Sequence, residues 1–153
     1  MAPAASRRRL KLLEGDVPKL TAHVTDKAGL LDDSERSALE HLLDNYERRT
    51  GHQVAVLTVK SLGGANVSDF GFTVVSRAAL GRRGKDDGVL ITVAPHDRKI
   101  DIQVGRGLEQ AIPDELAARV IRDTLAPAFH GKRYGSGLTN AALELMRAGE
   151  AAQ

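Results

Sequence analysis

GVLITVAPHDRKIDIQV, Gly88 to Val104, decides the fold. Its first seven residues are apolar apart from Thr92, as in a central strand covered on both faces. Its last six alternate Ile100, Ile102 and Val104 with Asp101 and Gln103, the period-two pattern of a strand with one wetter face, nearer a sheet edge. Pro95-His96-Asp97-Arg98 between them is short enough for a hairpin. The stretch therefore predicts an antiparallel pair.

Working back, QVAVLTV (Gln53 to Val59) is β-branched and almost continuously apolar, a second central strand. A helix separates it from Gly88, with Ser68 as the expected N-cap and an end near Leu80. A helix between two strands predicts a parallel pair with a right-handed crossover. Further back, Leu39, Leu42, Leu43 and Tyr46 recur at helical spacing. Asp32 and Glu35 form a capping box, and Gly51 offers a left-handed stop. Beyond the hairpin, a helix is predicted from Pro113-Asp114 to about Leu125, stopped by Pro127. GKRYGSG (131–137) reads as a loop, and Leu138, Ala141, Ala142, Leu145 and Met146 mark a last helix. Four helices around about four strands predict an α/β fold, a three-layer α/β/α sandwich with a mixed sheet and helices on both faces. Residues 1–20, with Arg7-Arg8-Arg9, read as a flexible basic N-terminal arm, and 21–150 as a single domain.

The 153 residues suffice for one domain with a core, built from Leu, Val, Ile and Ala because aromatic residues are only 3%. A net charge of +2 is too near neutral to argue for nucleic acid. The absence of cysteine excludes disulfides, thiolate catalysis and Cys-based zinc sites. No stretch approaches the roughly 20 apolar residues of a membrane span. The start, MAPAASRRR, lacks the apolar core of a signal peptide, though its small residues resemble what a removed signal leaves.

DIQVGRGLEQAIPDELAARVI (Asp101 to Ile121) looks like a dinucleotide turn and fails the test. Gln110 holds the third glycine position, and the helix begins too late to meet a pyrophosphate. GRRGKD (81–86) lacks P-loop spacing and the Ser or Thr that would hold magnesium. No nucleotide cofactor is expected. There is no Gly-x-Ser-x-Gly elbow, and His23, His41, His52, His96 and His130 show no ligand spacing.

The hairpin gives the glycines another role. The end of its second strand returns to the start of its first, so Gly105–Glu109 should lie beside Lys85–Gly88. One rim would then gather Asp86, Asp87, Glu109 and Asp114, with Asp97 and Arg98 at the opposite rim. Crowded carboxylates need a proton, a basic group or a cation, and Ca²⁺ or Mg²⁺ suits oxygen donors. The alternative is that Asp86 and Asp87 are solvated and Asp114 only caps a helix.

VTDKAGLLDDSER, YERRTGHQVAVLTV, LGRRGKDDGVLITVAPHDRKIDIQVGRGLEQAIPD and PAFHGKRYGSGL together resemble the TPM domain family over about residues 17–147. The resemblance implies the same sandwich and a divalent metal site on Asp26, Asp86, Asp87 and Asp114, with Ca²⁺ foremost and Mg²⁺ or Mn²⁺ as alternatives. It also implies acid phosphatase activity in some members, and among bacterial ones an accessory role at the envelope. The family's final acidic residue is replaced by Arg133. Two functions are thus expected. The first is an extracytoplasmic, periplasmic, membrane-associated domain that binds a divalent cation and assists assembly or maintenance of a membrane-protein complex, as a monomer. The alternative is a metal-dependent phosphatase acting on a phosphomonoester, with Asp86 and Asp87 catalytic and Lys85 and Arg106 holding the phosphate. A cytoplasmic location is the alternative placement.

Overall fold

The computed structural model describes residues 17–151. Most of the expected N-terminal arm lies outside that range. Residues 17–20, placed in the arm by their polarity, pack on the domain: Val17 is buried, Leu20 lies against the same cluster, and Arg77 Nη1 donates to the Val17 carbonyl at 3.1 Å.

The strands are β1 (Val24–Asp26), β2 (Gln53–Thr58), β3 (Gly88–Ala94) and β4 (Lys99–Val104). They form one sheet in the order β1-β2-β3-β4. β1, β2 and β3 are parallel, and β4 returns antiparallel beside β3. The mixed sheet and its hairpin follow the sequence expectation. β1, three residues long, is too short for periodicity to reveal.

The period of two sorts the sheet's side chains between two layers. Val54, Val56, Val89, Ile91 and Val93 join the larger cluster. It is completed by Leu39, Leu43 and Tyr46 of α1 (Asp33–Thr50) and by Leu138, Ala141 and Leu145 of α5 (Tyr134–Glu150). The alternate residues Ala55, Leu57, Leu90 and Ala94 meet Phe70 and Val74 of α2 (Val67–Ala78). One face is therefore deeply covered and the other thinly. No helix of the described residues is long and apolar enough to cross a membrane.

α1 begins and ends as its sequence dictates. The Asp32 side chain accepts from Glu35 N at 2.7 Å, Glu35 accepts from Asp32 N at 3.0 Å, and Gly51 closes the helix at φ 84°. α2 departs from expectation. Its N-cap is Asn66, which accepts from Ser68 N and Asp69 N, so Ser68 already lies inside the helix. Asn at that position offers its carbonyl to both free N–H groups, a stronger cap than the hydroxyl two residues later.

Two further corrections fall after β4. Pro127 does not stop the helix that starts at Asp114. α3 (Asp114–Val120) runs through a π-helical step (Ile121–Leu125) into α4 (Ala126–His130). The wider turn changes which carbonyls need a donor, so the proline's missing N–H falls within the re-registered segment. And 131–137 is not all loop, because α5 begins at Tyr134. Gly135 and Gly137 are buried packing positions: a Cβ on Gly137 would stand 2.7 Å from the Ala128 Cβ.

Candidate functional site

The parallel strands divide the molecule into two rims. At the first, the loop before β3 meets the loop after β4, as the hairpin geometry predicts. Gly105 N donates to Gly88 O at 2.8 Å, and Gly107 N to Asp86 O at 2.9 Å. A Cβ on Gly107 would strike Lys85 O, and one on Gly105 would strike Asp86 O, so close approach explains both glycines.

Asp87 is turned inward and is only 3% exposed. Its Oδ1 accepts from Arg82 N at 2.8 Å, and its Oδ2 from Arg82 Nε at 2.8 Å and Nη2 at 2.6 Å. Burial alone would raise its pKa, but the hydrogen bonds and charge of Arg82 outweigh burial and hold the carboxyl below its ordinary value. Its backbone carbonyl accepts from Gln53 N, while the Gln53 side chain accepts from Gly81 N at 2.7 Å. Asp87 and Gln53 thus clasp both ends of the 81–88 loop onto β2. Asp86, in the left-handed region at φ 50°, is exposed and accepts from Arg106 N at 3.2 Å. Lys85, Arg106 and Glu109 are exposed, as is Asp114 in the first turn of α3.

Asp26 is elsewhere. It pairs with Thr58 at the far end of β2, whereas Asp87 immediately precedes Gly88, the partner of Gln53. From Gln53 to Thr58 the strand advances about 16 Å at ~3.3 Å per residue. Asp26 therefore stands on the second rim, and the expected ligand set of Asp26, Asp86, Asp87 and Asp114 does not share one ion. Its oxygens are occupied locally: Oδ1 accepts from Leu30 N at 3.0 Å and from the Thr58 hydroxyl at 2.5 Å, Oδ2 from Leu31 N at 2.9 Å. Among the described residues no three His, Asp or Glu side chains are gathered so as to hold a metal ion. The donor set does not fit a resident divalent cation.

At the second rim, Asp97 and Arg98 form the hairpin turn. Asp97 Oδ2 accepts from Leu62 N at 2.7 Å, tying the turn to the loop after β2. Between the turn and the junction of α4 with α5 lies a cavity of about 330 Å³.

Sequence reasoning passed over His23. The imidazole bridges α1, with Nδ1 on Glu40 and Nε2 on Glu47 at 2.8 Å. Burial pulls its pKa down, but the hydrogen bonds and charges of Glu47 and Glu40 raise it overall. The two glutamates lie seven residues apart, two turns of one helix face, which is the only signal the sequence carries. His52 is buried with Nδ1 2.8 Å from the Tyr46 hydroxyl, and burial lowers its pKa. His23 ties the chain before β1 to α1 through polar contacts, whereas His52 is a buried partner of Tyr46.

Residues 24–148 match the model of the TPM domain. Three solved bacterial structures share the fold. The N-terminal domain of a P. gingivalis protein aligns at TM-score 0.81 with 28% identity, covering 90% of this chain and 91% of that one. The N-terminal domain of cg2496 from Corynebacterium glutamicum aligns at 0.63 with 16% identity, over 90% and 85%. The BA42 protein of Bizionia argentinensis aligns at 0.69 with 20% identity, over 80% and 83%. No curated protein matches the chain.

Proposed function

Because the chain belongs to the TPM domain family, its match running from residue 24 to 148, we propose that it is a non-catalytic binding module, an accessory domain of the cell envelope. The observation that carries this reading is the commitment of its carboxylates. Asp87 holds Arg82, Asp26 holds Leu30, Leu31 and Thr58, Asp86 receives Arg106 N, and Asp97 receives Leu62 N. Carboxylates spent on closing loops build rigid rims for recognition. The pairing with Arg82 leaves Asp87 unable to serve as the nucleophile or general base of a hydrolysis at the first rim. Two of the neighbouring structures are described as N-terminal domains of their proteins, in keeping with a fold that serves as one module among others.

The phosphatase reading needs Asp86, Asp87 and Asp114 at a metal, with Lys85 and Arg106 on the phosphate. Asp87 is locked by Arg82, so that reading loses one of its three carboxylates. The test is hydrolysis of a generic phosphomonoester from acid to alkaline pH with Ca²⁺, Mg²⁺ or Mn²⁺, beside thermal melts in the same metals. The expected result is no turnover above buffer and an unshifted midpoint, since a metal that bound only the folded state would raise it. Metal-dependent turnover abolished by Asp86→Ala overturns the proposal.

A further inference from the structure

We infer that the cavity between the hairpin turn and the α4–α5 junction binds a small organic oxyanion, a doubly charged phosphate head on a compact apolar body. The inference rests on the binding-module reading and gives that module a ligand class.

Charge carries the argument. Arg98, Lys99 and Lys132 line the cavity together with His130, and no carboxylate lines it. Elsewhere Arg36, Arg48, Arg49, Arg82 and Arg122 each face a carboxylate. Among the described residues Arg98, Lys99 and Lys132 have no such partner, nor have Lys85 and Arg106 on the first rim, but the former three line one cavity. The one carboxylate of the turn, Asp97, is held away by Leu62 N. The positive end of α5 does not add to the field, because Glu35 lies against Gly135 in its first turn. The attraction therefore comes from the side chains.

Shape and backbone agree. Val93, Ile100 and Phe129 form an apolar wall, and the Phe129 and Tyr134 rings pack with centroids 5.2 Å apart. The volume of about 330 Å³ suits a small ligand. Arg98 and Lys132 stand in the left-handed region, at φ 54° and 59°, which long side chains rarely adopt. The site lies beyond the carboxyl end of β3, where open α/β sheets receive ligands. A phosphate monoester presents three free oxygens, enough for the fork of Arg98 and two ammonium groups, whereas a carboxylate presents two.

The experiment titrates the ¹⁵N-labelled chain with phenyl phosphate, inorganic phosphate and vesicles containing phosphatidic acid, while following amide shifts and release of phenol. The expected result is saturable shifts confined to 96–100 and 129–134. Phenyl phosphate should bind about tenfold more tightly than inorganic phosphate, because the ring buries against the wall. The double variant Arg98→Asn, Lys132→Gly should weaken binding by about tenfold or more. Asn and Gly both accept positive φ, so the fold survives the loss of charge. Binding of vesicles alone, lost in the double variant, supports the site and names a lipid headgroup as its source. Shifts scattered over Lys85 and Arg106, or binding unchanged in the double variant, overturn it while leaving the module reading intact. Release of phenol would instead refute the non-catalytic reading and leave the pocket standing.

Discussion

A buried carboxylate that accepts the backbone N–H, Nε and Nη2 of one arginine is turned away from any ligand in solvent, and Asp87 is in that position. Asp87→Asn is expected to cost about 2 kcal/mol, the worth of hydrogen bonds to a charged group with Arg82 half in water. Because the folded carboxyl is depressed, its stabilisation is present above the ordinary value of 3.8 and is lost as pH falls through the folded value. Urea unfolding of wild type and variant should thus differ at neutral pH and converge in acid. A gap constant across that range would show that the clasp is not ionic. The sequence displayed the Asp86-Asp87 pair but not which member turns inward. In a glycine-punctuated loop, orientation depends on φ values such as the 100° of Gly81, and composition does not report them.

Elements were legible where period and punctuation agreed. The capping box of α1, its glycine stop and both strands of the hairpin fall where Asp32, Gly51 and Gly88–Val104 put them. They were illegible where tertiary packing overrode local rules. Pro127 and the glycines of 131–137 are breakers by propensity, yet the former sits inside a π-stepped rod and two of the latter sit inside α5. Gly137 is there because α5 crosses close to Ala128, and nothing in sequence spacing announces a crossing. Gly137→Ala would raise helix propensity and still destabilise, by about 2 kcal/mol, as overpacking does. A guanidinium melt checks the sign. Stabilisation would mean that the junction can open, and with it the wall of the cavity.

For the whole molecule, strand order matters more than composition. The topology was readable because a helix between strands dictates a parallel pair and a four-residue turn an antiparallel one. That the four carboxylates of the expected ligand set would stand apart was not readable. Asp26 ends β1 and Asp87 precedes β3, and parallel strands send those two positions to opposite ends. Cover is equally uneven. β2 and β3 have neighbours on both sides, whereas β1 pairs only with β2. Hydrogen exchange is expected to be slowest at Val54–Thr58 and Val89–Val93, with β1 amides exchanging at least about tenfold faster, since local opening follows the density of support. Equal protection across the sheet would mean that β1 is held by more than its pairing. The same order limits what the protein can build. A border of three residues displays too few unsatisfied amides to template a neighbouring chain, so strand addition is confined to the β4 side. Two copies joined there would present only their short borders outward, and stacking into a fibre would end at the pair.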